Sequence, residues 1–100
     1  MRPEKLSGTT RDTALAALAG RGWQHDPARD AVSKSFRFKT FAAAFGWMTQ
    51  IALHAEKRDH HPEWRNVYNR VEVTLTTHDV GGLTELDLDL AARMDALAGA

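Results

Sequence analysis

The sequence predicts an α+β domain whose helices are layered on one face of an antiparallel sheet. Two observations carry this reading. Three segments repeat apolar residues at helical intervals of three and four, and the segments between them alternate with period two. The order is helix, two strands, helix, one or two strands, helix, which sets helices against an antiparallel sheet rather than between parallel strands.

Ser7 is placed to cap a first helix ending near Gly20, where Leu15 and Leu18 stand three apart among alanines, the best helix formers. Gly20 and Gly22 close it. Gly22 to Asp26 reads as a short strand, followed by the turn chemistry of DPARD with Pro27 between aspartates. From Ala31 the chain alternates: Val32, Lys34, Phe36 and Phe38 take one side, and Ala31, Ser33, Ser35 and Arg37 the other. Thr40 is placed to cap a second helix reaching about Arg58, because Phe41, Phe45, Met48, Ala52 and Ala55 recur at intervals of three and four. Trp47 and Ile51 widen that apolar face beyond one stripe, enough for a sheet on one side and a partner subunit on the other. Pro62 disfavours a helical conformation at His61, so the helix stops before His60 and His61.

The run NVYNRVEVTLTTH then alternates, with Val67, Val71, Val73 and Leu75 on one face and Tyr68, Arg70, Glu72, Thr74, Thr76 and His78 on the other. It is one long strand, or two joined by a tight turn at Asn69 and Arg70. VGG ends it. Thr84 with Asp87 three residues later resembles a capping box with Asp in place of Glu, opening a third helix through Leu86, Leu90, Met94 and Leu97.

At 100 residues the chain makes one small domain, residues 1–100, and any concave site lies on one face or between subunits. Its 13 basic and 13 acidic residues cancel, so no net field recruits nucleic acid or an anionic membrane. Without cysteine there is no disulfide, thiolate metal site or cysteine nucleophile. The N-terminus lacks a signal-peptide core, and no apolar run approaches the roughly 18 residues a membrane span requires. These features predict a soluble, cytoplasmic protein. VGGLTE lacks the lysine and spacing of a phosphate-binding loop, no nucleophile elbow is present, and the scattered basic residues form no direct nucleic-acid surface.

What remains is histidine. Neutral imidazole accepts a proton and imidazolium donates one near physiological pH, so His60, His61 and His78 form a candidate acid–base set if a neighbouring strand or a partner brings them together. The plainer reading makes His60 or His61 a partner of the helix dipole and His78 a solvated strand-end residue. His25 and His54 have no partner pattern and read as structural. Three histidines and a water can hold catalytic zinc, but adjacent histidines in an extended segment point apart and no helical ligand pair is present, so no metal is expected. Glu56 stands four before His60, as a surface pair or a helix-end hydrogen bond. Trp23 and Trp64 could wall a ring-shaped ligand or fill the core, and Tyr68 could border a site or cover the sheet.

Glu56, three residues, then His60, His61 and Pro62, an aromatic at Tyr68, His78 and an acid at Asp87 together resemble the signature of the pterin-4a-carbinolamine dehydratases, a family that includes the dimerization cofactor of a homeodomain transcription factor. The resemblance extends to GW at Gly22 and Trp23, FRFKTFAAAFGWM from Phe36 to Met48, HHPEWRNVYNRVEVTLTTHD and GGLTELD, nearly the whole chain. Trp47 departs from it, standing where a smaller aromatic is common. The resemblance implies three helices packed on one face of a four-stranded antiparallel sheet, assembled as a homodimer or homotetramer. It implies a carbon–oxygen lyase, with no cofactor, that removes water from a 4a-hydroxytetrahydropterin of the tetrahydrobiopterin type, giving the quinonoid dihydropterin and recycling the cofactor of an aromatic amino-acid hydroxylase. By the same similarity His60, His61 and His78 are catalytic, and Asp59, Thr76, Thr77, His78 and Asp79 bind the pterin together with the histidine pair. Glu56 and Asp87 orient the imidazoles. The alternative is a non-catalytic interaction or transcriptional dimerization cofactor, docking through Phe41, Phe45, Trp47, Met48 and Ile51 of the second helix.

Overall fold

A computed structural model describes residues 3–99. It contains α1 (Gly8–Gly20), β1 (Gln24–Asp26), β2 (Ala31–Arg37), α2 (Phe41–Arg58), β3 (Glu63–Val67), β4 (Arg70–Leu75), a single 3₁₀ turn at His78–Val80, and α3 (Glu85–Leu97). The four strands form one antiparallel sheet in the order β1-β2-β4-β3. Leu18 of α1, Ala44, Trp47, Ile51 and Ala55 of α2, and Leu90, Ala91 and Met94 of α3 close over Val32, Phe36, Val71, Val73 and Leu75 as one core. The expected α+β arrangement is therefore the observed one. No helix is long and apolar enough to cross a membrane among the described residues.

Local chemistry sets the element ends. Ser7 occupies the N-cap of α1 but its side chain makes no capping bond. Past the C-terminus of that helix, Gly22 takes φ +91°, where glycine alone is unstrained, while its amide bonds to Ala19 O. Thr40 caps α2 by accepting the Ala43 amide at 3.0 Å. That helix ends in a Schellman motif: Asp59 is left-handed at φ 51°, its amide bonds to Glu56 O, and the His60 amide bonds to Ala55 O. Pro62 follows the stop rather than making it.

Two expectations need correction. The stripe of α2 that faces the core is Ala44, Trp47, Ile51 and Ala55, whereas Phe41 and Phe45 are about half exposed, at 50% and 55%. With apolar residues most of the way round the helix, periodicity could not say which stripe the sheet would take. The second correction is in the long alternating run, which is a β3–β4 hairpin turning at Tyr68–Asn69 rather than at Asn69–Arg70, with Tyr68 left-handed at φ 51°. The Asn66 amide group holds the turn by donating to Tyr68 O and Arg70 O. The reversal changes the parity of the strand, so Val67 lies opposite Arg70 and is exposed while Trp64 turns inward against Trp47. His78 lies three residues beyond the end of β4, in the 3₁₀ turn.

Two buried carboxylates tie the layers together. Asp95 of α3 accepts from Arg21 Nε at 2.8 Å, Trp23 Nε1 at 3.0 Å and Lys34 Nζ at 2.6 Å, joining the end of α1, β2 and α3. Burial pushes its carboxyl up, but the hydrogen bonds from Lys34, Trp23 and Arg21 outweigh that and hold it below its ordinary value. Asp30, left-handed at φ 52°, ends the β1–β2 turn. Its carboxylate takes both guanidinium prongs of Arg11 at 3.0 and 2.5 Å, His25 Nε2 at 2.8 Å and the Leu83 amide at 3.0 Å. Its carbonyl accepts the Thr76 hydroxyl at 3.0 Å. Asp30 thus fastens both ends of the 76–83 loop, and a Cβ at Gly82 would collide with its Oδ2 and with Lys5. The Arg11 hydrogen bonds hold the Asp30 carboxyl far below the usual carboxylate range; burial opposes them, and His25 and the Leu83 amide lower it further.

Ile51 is fully buried. Ile51→Ala should lower the unfolding free energy by about 2–5 kcal/mol in urea titration; a loss under about 1 kcal/mol would show that this face of α2 is not closely packed. Because the folded-state carboxyls of Asp30 and Asp95 are lowered, the unfolded chain binds their protons first. Their stabilisation is complete well above the unfolded value of about 3.9 and is lost as pH falls through the folded values. The urea midpoint should therefore decline below about pH 4, and Asp30→Asn should lower it at neutral pH and flatten the decline. An unaltered decline in that variant would contradict the assignment.

Candidate active site

The Schellman closure of α2 fixes where His60 begins, because its backbone amide is spent on Ala55 O. Its imidazole turns inward and brings Nε2 to 2.6 Å from Asp87 Oδ1, the carboxylate being 0% exposed. The other carboxylate oxygen, Oδ2, accepts the Thr77 hydroxyl at 2.8 Å and the Thr84 amide at 2.9 Å. That second bond is half of the capping box of α3, so the anticipated box is present with Asp in the place of Glu. Thr77 Oγ1 lies 2.8 Å from Thr84 Oγ1, which in turn accepts the Leu86 amide at 3.2 Å.

With Asp87 ionised, one proton arrangement satisfies every contact. Thr77 donates to Asp87, so Thr84 donates to Thr77, and His60 donates from Nε2 to the carboxylate. Neutral His60 then keeps its lone pair on Nδ1, which bonds to no described residue and is not sealed from solvent. His60 lines an open pocket of about 870 Å³ between the end of α2, the loop after β4 and the start of α3. Arg58, Asp59, Thr77 and Asp79 line it too, giving the hollow charges of both signs beside a proton acceptor.

The remaining expected residues sit elsewhere. His61 and His78 do not line this pocket. His61 is exposed, with Nε2 3.1 Å from Glu56 Oε1 on the last turns of α2, and Glu56 is more exposed still. His78 is exposed in the 3₁₀ turn with Nε2 3.2 Å from Glu63 Oε2. Strand pairing brings that turn toward the histidine pair, since Glu63 at the start of β3 lies opposite Thr74 near the end of β4. Thr76 is buried and its hydroxyl is committed to Asp30, which leaves only its backbone for a ligand. Trp23 and Trp64 belong to the core and its edge, and Tyr68 to the hairpin turn; none of them walls the pocket. His25 pairs with Asp30 and His54 with Asp89. Among the described residues no group of three or more histidine or acidic side chains is arranged to hold a metal ion.

Sequence reasoning missed Glu63 and Arg29, and it read Thr84 only as a helix cap. Arg29 grips Glu63 through both guanidinium prongs, at 3.1 and 2.8 Å. Those hydrogen bonds are the main reason the Glu63 carboxyl lies below its ordinary value, with a further lowering from His78. Glu63 was visible inside HHPEW, but only the strand register reveals which histidine it meets.

The family model for pterin 4 alpha carbinolamine dehydratase matches residues 4–97. A Jannaschia sp. (strain CCS1) protein is 62% identical over 95 residues, 95% of this chain and 97% of its own. One from Rhodopseudomonas palustris (strain HaA2) is 58% identical over 96 residues, 96% of this chain and 93% of its own. Both carry a provisional pterin-4-alpha-carbinolamine dehydratase name. A Brucella melitensis crystal structure, described as a transcriptional coactivator/pterin dehydratase, superposes with a TM-score of 0.87 at 53% identity, covering 96% of this chain and all of its own. A pterin dehydratase-like protein, described as a RuBisCO assembly factor in the alpha-carboxysome, gives a TM-score of 0.69 at 28% identity over 79% of this chain and 92% of its own. With the family model spanning almost the full length and the fold shared throughout, the chain belongs to the pterin-4a-carbinolamine dehydratase family.

Proposed function

We propose that this protein dehydrates a 4a-hydroxytetrahydropterin of the tetrahydrobiopterin type to the quinonoid dihydropterin, returning the cofactor of an aromatic amino-acid hydroxylase toward reuse. The observation that carries the reading is the buried Asp87 carboxylate holding His60 Nε2, which leaves Nδ1 as a fixed base at the pocket wall. In the reaction His60 removes the proton from ring N5. The N5 electrons form the N5=C4a double bond, the C4a–O bond breaks, and the departing oxygen takes a proton from a second imidazolium to leave as water.

The Asp87 hydrogen bond holds the His60 ring through Nε2 and leaves Nδ1 free to take a proton, which supports the base role. His78 serves as the acid, and His61 positions the 4a-hydroxyl with Glu56 orienting its ring. Asp59, Thr77 and Asp79 bind the pterin, joined by the Thr76 backbone. His61 and His78 are exposed and do not line the pocket, so in this reading they reach the pterin from outside it while His60 meets it at the wall.

Dehydration of a 4a-hydroxytetrahydropterin by the purified protein tests this. His60→Ala and His78→Ala should each lose about 10²-fold to 10⁴-fold in rate. Asp87→Asn should fall between them and wild type, and turnover should survive chelators. Wild type no faster than the double histidine variant would sink the enzyme reading in favour of an interaction protein, and a stoichiometric zinc requirement would overturn the metal-free mechanism.

The outer face of α2 supports a second proposal, that the protein is a homodimer or homotetramer. Phe41 and Phe45 stand 5.8 Å apart between ring centroids, and with Leu53 they leave three large apolar side chains exposed on one helix. Light scattering should report a defined oligomer that Phe45→Glu dissociates; a wild-type monomer at micromolar concentration would refute it.

A further inference from the structure

His60 and His61 have carboxylate partners that the family resemblance already implied, but His78 meets one that it did not. Its Nε2 lies 3.2 Å from Glu63 Oε2, and the only further described partner of that carboxylate is Arg29, across the β1–β2 turn. Three chain segments distant in sequence meet at this point: the turn before β2, the first residue of β3 and the 3₁₀ turn.

We propose that Glu63 is the positioning residue of His78, held in place by Arg29, so that Nε2 keeps the proton and Nδ1 is the nitrogen presented for proton transfer. This rests on the reading of His78 as a participant in dehydration. A carboxylate can only accept, so the hydrogen bond selects the Nε2–H form of the neutral ring. The two-pronged Arg29 contact fixes the plane of the carboxylate and with it the direction from which the imidazole is held. Glu63 itself points outward because β3 alternates: Trp64 and Asn66 lie opposite Val73 and Val71 on the core side, while Glu63 and Arg65 lie opposite Thr74 and Glu72 on the other.

Fold stability is a poor explanation for this triad. The side chains of Arg29, Glu63 and His78 are 46%, 43% and 77% exposed, and ion pairs that open to solvent add little to folding. The same exposure makes the test clean, because removing Glu63 opens no cavity.

Nitrogen-15 spectra of the His78 ring, recorded where the ring is neutral, should show mainly the Nε2–H tautomer in wild type and a mixture in Glu63→Ala. The melting temperature should stay unchanged. In the dehydration assay Glu63→Ala should lose on the order of tenfold in kcat, part of the contribution of one proton transfer, with KM held within about twofold. Glu63→Gln, which keeps an acceptor, should recover part of that rate, and Arg29→Gln should show a smaller loss of the same kind. An unchanged tautomer, or unchanged kcat in an active enzyme, overturns the role of Glu63 while leaving the dehydratase reading intact. A wild-type protein without dehydratase activity overturns both.

Discussion

One carboxylate without access to solvent organises this small domain. An ionised Asp87 away from water is costly unless each oxygen is bonded, and its bonding partners come from three places: His60 after α2, Thr77 after β4 and Thr84 before α3. Thr77 and Thr84 stand at the two ends of the loop between β4 and α3, and His60 comes from the far end of α2, so satisfying the carboxylate closes that loop and docks it on α2. The pocket lies where they converge. The Asp30 and Asp95 clusters act in the same way at other seams, the first fastening the loop after β4 and the second locking α3 to α1 and β2.

A pattern follows from this economy of acids. Each of the five histidines has its Nε2 within hydrogen-bond distance of a carboxylate: His25 with Asp30, His54 with Asp89, His60 with Asp87, His61 with Glu56 and His78 with Glu63. The environments nevertheless differ widely. His60 and Asp87 are buried, with both carboxylate oxygens bonded, whereas His61 and His78 are surface groups whose partners are themselves exposed. One residue type therefore supplies a buried group at the pocket wall and exposed groups outside it.

Much of this was legible from residue spacing. The helix caps at Thr40 and Thr84, the stop before His60 and the alternation of β2 all follow from short-range rules, and short-range rules act the same way in a chain as in a fold. What spacing could not supply was direction. On α2 apolar residues surround most of the helix, so the choice of Trp47 over Phe45 for the core was made by the sheet. In the β3–β4 hairpin a left-handed Tyr68, where glycine or asparagine would be the usual marker, moved the turn by one residue and sent Val67 outward. Asp87 was read as a helix cap by its own spacing and as an orienting acid only by resemblance; it serves both uses through its two separate oxygens.

That double use has a consequence for populations. The oxygen that caps α3 and the oxygen that holds the imidazole belong to one rigid group, so fraying of the first turn of α3 moves the carboxylate and releases His60 with it. The fraction of molecules with His60 held in place can never exceed the fraction in which that helix end is closed. A ligand that requires the ordered imidazole binds only the closed population, and in binding it draws the helix end shut.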